Sequence, residues 1–286
     1  MALGGEGLDA LLTRLDRIAD ALESRVRRDP VDLDAACAFR WRGGRCEPVL
    51  HRHVIRLDDL LGVDEQKAQL ARNTAQFVAG RPANNVLLTG ARGTGKSSLV
   101  KAVLDRHAAE GLRLIEVDRE ELAHLPDIVD RVADSPRRFI VYCDDLAFDD
   151  AEPGYRALKA VLDGSIAAPG DNLLIYATSN RRHLMPEYQD ENLPLIRGGE
   201  IHPREAVEEK VSLSERFGLW ISFHAFDQGE YLAIAAHWLA QLGWHGADDA
   251  WRGEALRWAL SRGARNGRVA AQFARDWAGR HSASPE

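Results

Sequence analysis

The sequence lacks any apolar run near the roughly 20 residues that a membrane-spanning helix needs, so no membrane association is expected. The N-terminal stretch MALGGEGLDALL has no basic region ahead of a continuous apolar core, which argues against a secretory signal. Cysteine is scarce. Cys37, Cys46 and Cys143 do not have the spacing of a zinc site, and their odd number argues against a disulfide framework. A reducing cytoplasm is the expected location.

Positive charge is also in deficit, with 37 Lys and Arg residues against 44 Asp and Glu residues and a formal net charge of -7. This balance argues against a protein that coats nucleic acid with its whole surface, although a local basic patch remains open. The 45% hydrophobic and 28% charged residues are typical of a globular protein. A chain of 286 residues is long enough for one large domain or two small ones.

The rest of the chain is organised around one glycine-rich stretch, NVLLTGARGTGKSSLVKAV, at 85–103. The apolar run at 86–88 predicts a buried strand, and a helix is expected from Lys96 onward. GARGTGKS between them has the spacing of the P-loop, a strand-loop-helix motif whose backbone N–H groups cradle phosphates. Lys96 is expected to reach the outer phosphates, and Ser97 to ligate magnesium. The expected phosphate-binding residues are Gly90, Ala91, Arg92, Gly93, Thr94, Gly95, Lys96, Ser97 and Ser98. The alternative is a glycine-rich turn that binds no ligand.

Two segments precede this motif. Apolar residues recur at helical spacing between Leu8 and Val26 and predict an amphipathic helix, which either packs on the main domain or contacts a partner. The segment from Phe39 to Arg56 is rich in Arg and His and contains Trp41, a pattern that can grip a nucleic-acid strand. An irregular, solvated connector explains the same residues and is the favoured interpretation. The histidines in it have no acidic or cysteine partner nearby and are not interpreted as a metal site.

Strands and helices alternate after this segment. A helix is expected to end at Gly80, strands are expected at 112–117, 139–143, 172–177 and 218–223, and helices at 120–132, broken near Pro126, and at 155–162. This order predicts an α/β fold with a parallel sheet and helices on both faces. From Asp227 onward the strand pattern disappears, and three helices predict a small helical lid domain. The expected divisions are an N-terminal helix and connector at 1–54, an α/β domain at 55–226, the lid at 227–280 and a disordered tail at 281–286.

Two carboxylates follow the predicted strand 139–143. Their position puts Asp144 and Asp145 at the carboxyl edge of the sheet, where ligands bind in open α/β folds. Asp144 is the candidate Walker-B acid that holds Mg²⁺ through its shell, and Asp145 the candidate base that orients the attacking water. A strand followed by two Asp is weak evidence alone, but it becomes strong downstream of a P-loop.

Four further segments, in this order along the chain, resemble elements of the AAA+ ATPases. LDDLLGVDEQKAQL resembles the segment that opens the adenine pocket, LLIYATSNRRHL the sensor-1 strand, SERFGLWISF the arginine-finger element, and NGRVAAQF the sensor-2 helix. The resemblance implies roles for six residues: Leu60, Leu61 and Gly62 near the adenine, Asn180 as sensor 1, Arg216 as the finger and Arg268 as sensor 2. Arg216 could instead pair with Glu209 or Glu215 on the surface. Arg268 could instead cap a lid helix, with the sensor being Arg262 or Arg265.

The resemblance extends over nearly the whole chain to one bacterial AAA+ family with no assigned process, labelled only as a domain of unknown function or a predicted ATPase. It implies ATP and Mg²⁺ as ligands, ATP hydrolysis, homo-oligomers joined by a finger acting in trans, and remodelling of an unidentified protein client. Two departures matter. The sequence has Asp144-Asp145 where most active members have Asp-Glu, and the segment Asp145–Asp171 shows no aromatic-glycine pore loop. A slow ATP-dependent switch or adaptor, and a helicase-loader-like protein that grips nucleic acid through residues 40–56, therefore remain open.

Overall fold

The structure is a computed structural model that describes Arg14 and residues 32–147, 153–163, 171–180, 213–246 and 249–281. The predicted helix between Leu8 and Val26 lies outside the described residues, apart from Arg14, and so does the tail after His281. The segment examined for a pore loop, Asp145–Asp171, is described only in part.

Seven strands form one sheet in the described residues. They are β1 (Ala38–Arg42), β2 (Arg45–Pro48), β3 (Val86–Gly90), β4 (Leu112–Val117), β5 (Arg138–Cys143), β6 (Leu173–Ser179) and β7 (Leu219–Phe223). Their order across the sheet is β2-β1-β4-β5-β6-β3-β7. Neighbouring strands are parallel except for the antiparallel pair of β1 and β2. The predicted parallel sheet is confirmed, and the P-loop strand β3 lies between β6 and β7.

Seven α-helices accompany the sheet among the described residues. They are α1 (Asp64–Val78), α2 (Lys96–His107), α3 (Leu125–Val132), α4 (Pro153–Leu162), α5 (Gln228–Gln241), α6 (Ala250–Ser261) and α7 (Gly267–His281). The break expected near Pro126 is confirmed, because residues Arg119–His124 form a 3-10 helix and α3 begins at Leu125. Pro126 falls in the first turn of α3, where a missing N–H costs no helical hydrogen bond.

The sheet is buried on both faces. Along β5, Ile140 and Tyr142 pack into an apolar cluster shared with α1, α2 and the C-terminal helices. Phe139, Val141 and Cys143 point the other way, into a cluster shared with α3 and α4. Burial on both faces explains why the central strands read as continuous apolar runs in the sequence.

The interpretation of residues 39–56 as an irregular connector is wrong for its first part. β1 pairs with β4, with Phe39 opposite Ile115, so the hairpin of β1 and β2 extends the sheet. Trp41 is only 1% exposed and therefore cannot stack on a nucleic-acid base from this position. Arg40 lies on the other face of the strand and forms an ion pair with Glu116 at 2.7 Å. The hairpin turns at Gly43-Gly44, with φ of 52° and 78°, as a tight two-residue turn requires.

The three helices α5, α6 and α7 follow the last strand, as predicted. α5 begins with a capping box: Asp227 Oδ1 accepts from the backbone N–H of Glu230, and Glu230 Oε2 accepts from that of Asp227. α7 contributes Phe273 and Trp277 to the core shared with the sheet. No helix in the described part of the chain has both the length and the apolar character needed to cross a bilayer.

Candidate functional site

The P-loop leaves the sheet at a position that only glycine fits. Gly90 ends β3 with φ of 134°, and a Cβ there would lie 2.2 Å from the backbone oxygen of Phe223 in β7. The loop then turns into α2, which begins at Lys96. The structure thus has the strand-loop-helix context that the sequence pattern requires.

The side chain of Lys96 folds back onto its own loop. Its Nζ donates to the backbone oxygens of Gly90 at 2.7 Å and Ala91 at 2.8 Å, and to Oδ1 of Asn180 at 3.0 Å. Burial lowers the pKa of Lys96, while the negative charges of Asp144 and Asp145 oppose that shift. Three acceptors satisfy the ammonium group, so it can remain charged although the residue is only 6% exposed.

Asp144 and Ser97 form the second part of the site. Oδ1 of Asp144 accepts hydrogen bonds from Ser97 Oγ at 2.7 Å and from Thr178 Oγ1 at 2.5 Å. Partial desolvation raises the pKa of Asp144, but the hydrogen bonds from Thr178 and Ser97 outweigh it, and the net shift is downward. Asp144 is therefore an anion at neutral pH, with a hydroxyl group fixed beside it.

These oxygen donors suit Mg²⁺, which prefers carboxylates, hydroxyls and retained waters. Ser97 and Asp144, which both line the cavity, could hold a hydrated Mg²⁺ here.

Asp145 is held by three contacts. Its backbone N–H donates to Thr178 Oγ1 at 2.9 Å, its Oδ2 pairs with Arg92 Nη2 at 3.2 Å, and its Oδ1 accepts from the amide of Asn180. Its φ of 54° is the only positive φ of a non-glycine residue in the described ranges. Aspartate tolerates this left-handed conformation better than most residues, and the three contacts stabilise it.

One cavity of about 580 Å³ joins these groups. The predicted residues that line it are Leu60, Leu61, Arg92, Gly93, Thr94, Gly95, Lys96, Ser97, Ser98, Asp144, Asp145, Asn180 and Arg268. Four predicted residues, all described, are not in the lining: Gly62, Gly90, Ala91 and Arg216. Gly62 packs beside the Phe226 ring instead, and the backbone oxygens of Gly90 and Ala91 bind Lys96.

The two predicted arginines differ in their surroundings. Arg268 lines the cavity, whereas its alternatives Arg262 and Arg265 do not. Arg216 forms an ion pair with Asp163, which directly follows α4. This partner was not expected from the sequence. Of the expected alternatives, Glu209 lies outside the described residues.

Sequence reasoning missed residues of two kinds. Thr178 bonds both Asp144 and the backbone of Asp145, and its place in ATSN, two residues before Asn180, was a signal that could have found it. His53 and Trp238 line the cavity far from the P-loop in sequence, one in the segment interpreted as a connector and one on α5. No local pattern distinguishes these two residues. His53 lies in an irregular segment, and an apolar residue such as Trp238 on a helix usually packs into a core.

Solved structures with similar folds define the fold class of this chain. Similar structures include Thermotoga maritima RuvB, a Holliday junction branch migration motor (TM-score 0.52, 18% identity, 77% of this chain and 63% of that chain), and Aeropyrum pernix ORC1 in complex with DNA (TM-score 0.52, 16% identity, 78% and 62%). The replication initiator DnaA bound to AMPPCP and single-stranded DNA is also similar (TM-score 0.50, 14% identity, 77% and 63%). The chain thus has the fold of the AAA+ ATPases, and it spans less than two thirds of the length of these proteins.

The family follows from the sequence. The family described as "Protein of unknown function (DUF815)" matches residues 34–281, so the chain belongs to it. No curated protein matches the chain. The predicted AAA+ fold and the predicted family of unknown function are confirmed.

Proposed function

We propose that this protein binds ATP with Mg²⁺ and hydrolyses it to ADP and phosphate, and that this cycle remodels a protein partner. The observation that carries the proposal is the meeting of three groups in one cavity: the P-loop with Lys96, the pair of Ser97 and Asp144, and the pair of Asp145 and Asn180. These groups come from β3, β5 and β6, whose carboxyl ends meet at one edge of the sheet.

The P-loop amides and Lys96 would bind the phosphates, and Ser97 and Asp144 would hold the metal. When bound, Mg²⁺ supplies positive charge that offsets the charge of the outer phosphates. Asn180 would orient a water molecule whose oxygen bonds to the γ-phosphorus as the β–γ bridging bond breaks. Asp145 would take the proton that this water loses.

An apolar part of the cavity would hold the adenine. Leu60 and Leu61, from the segment before α1, and Trp238, from the lid helix α5, line the cavity. Apolar and aromatic groups of this kind are typical of a base-binding pocket.

Arg268 would reach the phosphates from α7. We accordingly retain the division into an α/β domain at 55–226 and a lid at 227–280, with the β1–β2 hairpin added to the sheet.

Arg216 would act on a neighbouring copy of the chain. It does not line its own cavity, and it lies just before the edge strand β7. An arginine at such an edge can supply positive charge to the transition state of an adjacent subunit. The active form would therefore be a homo-oligomer.

A slow ATP-dependent switch is the second candidate, and the state of Asp145 favours it. Both carboxylate oxygens of Asp145 are already engaged, one by Arg92 and one by Asn180. Its side chain is also a methylene shorter than the glutamate that most active members carry. Binding of nucleic acid is a weaker alternative: the names of the similar ORC1 and DnaA structures include DNA, but Trp41 is buried here.

The test is phosphate release by the purified protein across a range of protein concentrations, with and without single-stranded DNA or RNA. Release above that of Lys96→Ala supports hydrolysis. Thermal stabilisation by ATP and Mg²⁺ without release supports the switch. No stabilisation and no release would contradict both, and salt-dependent binding of single strands would support the nucleic-acid alternative.

A further inference from the structure

The lid touches the P-loop directly through the turn before α7. The backbone N–H of Gly267 donates to the oxygen of Gly93 at 2.9 Å, and Nδ2 of Asn266 donates to the oxygen of Arg92 at 3.2 Å. Asn266 and Arg92 are 174 positions apart in the sequence. The contact therefore joins two distant parts of the chain across the mouth of the cavity, which Gly93 and Gly267 both line.

The amide of Asn266 has two functions, one at each of its polar atoms. Its Oδ1 accepts from the backbone N–H of Val269 at 2.9 Å, which caps the first turn of α7. Its Nδ2 is the atom that bonds the P-loop. A serine or an aspartate could replace the cap, because each carries an acceptor oxygen, but neither could donate to Arg92 in the same way.

The approach of the two segments is close. Gly93 has φ of 81°, and a Cβ built on it would lie 2.6 Å from the Asn266 amide. A Cβ on Gly267 would lie 3.2 Å from the backbone oxygen of Gly93. The P-loop and the lid are thus packed backbone against backbone, and glycine on both sides permits it.

All four carbonyls from Gly90 to Gly93 accept hydrogen bonds. Lys96 donates to those of Gly90 and Ala91, Thr94 Oγ1 also donates to that of Ala91 at 2.9 Å, and the lid donates to those of Arg92 and Gly93. When Lys96 turns to a phosphate it releases its two carbonyls, but the two held by the lid are unaffected. The lid therefore fixes the second half of the loop independently of the ligand.

Holding a carbonyl fixes the N–H group on the other side of the same peptide. A trans peptide is planar, with C=O and N–H pointing in opposite directions. The carbonyl of Arg92 shares its peptide with the N–H of Gly93, and that of Gly93 with the N–H of Thr94. With both oxygens turned to the lid, these two N–H groups point away from it, as a loop that cradles phosphates by its amides needs.

We propose that Asn266 is a positioning residue for the phosphates: by holding the Arg92 carbonyl, it orients the P-loop amides and couples nucleotide affinity to the position of the lid. The proposal rests on the nucleotide-binding function given above. The amides at this part of a P-loop cradle the phosphates common to ATP and ADP. Loss of the contact therefore lowers the affinity for both nucleotides alike. A single hydrogen bond of this kind corresponds to a loss of about three- to tenfold in affinity.

The experiment compares Asn266→Ala, Asn266→Ser and Asn266→Asp in the full chain by calorimetric ATP and ADP affinity and by Tm without ligand. All three variants should lose affinity for both nucleotides, whereas only Asn266→Ala should show a clearly lower Tm. Asn172→Ala is the control, since it removes an asparagine amide that donates to the backbone oxygens of Val132 and Ser135, and none of these residues lines the cavity. It should lower Tm and leave affinity unchanged.

The outcomes separate this inference from the function on which it rests. If Asn266→Ser binds ATP and ADP as the wild type does, or if affinity follows Tm across the series, Asn266 is only a helix cap. A loss restricted to ATP would also overturn the proposal, because it would point to a γ-phosphate contact. If the wild-type protein binds neither nucleotide, the proposed function fails and this inference fails with it.

Discussion

The Nζ atom of Lys96 lies 3.0 Å from Oδ1 of Asn180, so the P-loop and the end of β6 are joined by one hydrogen bond. The same asparagine donates through its amide to Asp145. The lysine expected at the phosphates and the aspartate expected at the attacking water are therefore linked through a single side chain. A phosphate that draws Lys96 away would break this link, so phosphate binding would act directly on the carboxylate proposed as the base.

Replacing Lys96 by alanine tests the phosphate site. Lys96→Ala should abolish measurable ATP affinity, and the thermal stabilisation that ATP and Mg²⁺ give the wild type should disappear, because a ligand stabilises only the state that binds it. The ligand-free Tm should fall modestly, since the carbonyls of Gly90 and Ala91 lose the hydrogen bonds from Lys96, although Thr94 Oγ1 still donates to that of Ala91. Lys67→Ala, at an ion pair with Asp64 on α1, is a control that should keep the full ATP response. Equal stabilisation of wild type and Lys96→Ala would rule out the P-loop assignment.

The fold could be predicted where local pattern and burial agree. β5 was predicted at 139–143 and is found at Arg138–Cys143, because a strand buried on both faces is a continuous apolar run between turn residues. β1 was missed although Arg40 and Arg42 alternate with Phe39 and Trp41, which is the polar-apolar alternation of a strand. The basic residues were interpreted as a solvated connector instead.

Only the site residues that belong to sequence motifs could be predicted. Ser97, Asp144 and Asn180 belong to motifs, and the structure brings them into one cavity. The contact of Asn266 with Arg92 follows from how the lid docks on the sheet, which no local spacing encodes. The partner of Arg216 could not be predicted for the same reason, since Asp163 meets it only through the packing of α4.

Replacing Asp144 by asparagine tests the proposed magnesium site. Asp144→Asn should bind ATP in the presence of a chelator as the wild type does, but should gain little affinity when Mg²⁺ is added, because the neutral amide is a poor partner for a hydrated cation. The measurement is the ratio of ATP affinities with and without Mg²⁺. If that ratio matches the wild-type ratio, Asp144 does not serve the metal.

The lowered pKa of Asp144 also predicts a pH dependence. A carboxyl whose pKa is lower in the folded state than in the unfolded state stabilises the fold above its unfolded pKa, and this contribution is lost as pH falls through the folded value. As pH falls from the ordinary aspartate pKa of 3.8 through the lower pKa of the folded state, the unfolding midpoints of wild type and Asp144→Asn should therefore converge. Near neutral pH the wild type should be the more stable. A difference that persists unchanged in acid would contradict this cause.

Substitutions of Asp145 distinguish the ATP-hydrolysis proposal from the slow-switch hypothesis. Asp145→Asn should bind ATP and release no phosphate, because an amide cannot accept the proton of the attacking water. Asp145→Glu should hydrolyse at least as fast as the wild type, since its longer side chain reaches further. The φ of 54° at this position makes glutamate costly by roughly 1–2 kcal/mol. Normal turnover in Asp145→Asn would exclude Asp145 as the base and remove the motive for the switch hypothesis.

Replacing Arg216 by alanine tests whether the active form is the proposed homo-oligomer. Arg216→Ala should bind ATP nearly as well as the wild type, because the residue does not line its own cavity, yet turnover should fall by roughly a thousandfold or more, as is usual for a lost arginine finger. Mixing Arg216→Ala with Lys96→Ala should restore activity, since one supplies an intact pocket and the other an intact finger.

The control for the mixing experiment is the double variant Arg216→Ala/Lys96→Ala. Mixed with Lys96→Ala it supplies no intact pocket, so it should restore nothing, and this excludes a gain that comes only from higher protein concentration. In the wild type, activity per molecule should rise with concentration as subunits associate, and Asp163 should have to release Arg216 for a neighbour's nucleotide. Asp163→Ala should therefore reach half of its maximal activity at a lower concentration than the wild type. Concentration-independent turnover in a protein that sediments as a monomer, with no rescue on mixing, would show that Arg216 has no role in a neighbouring site.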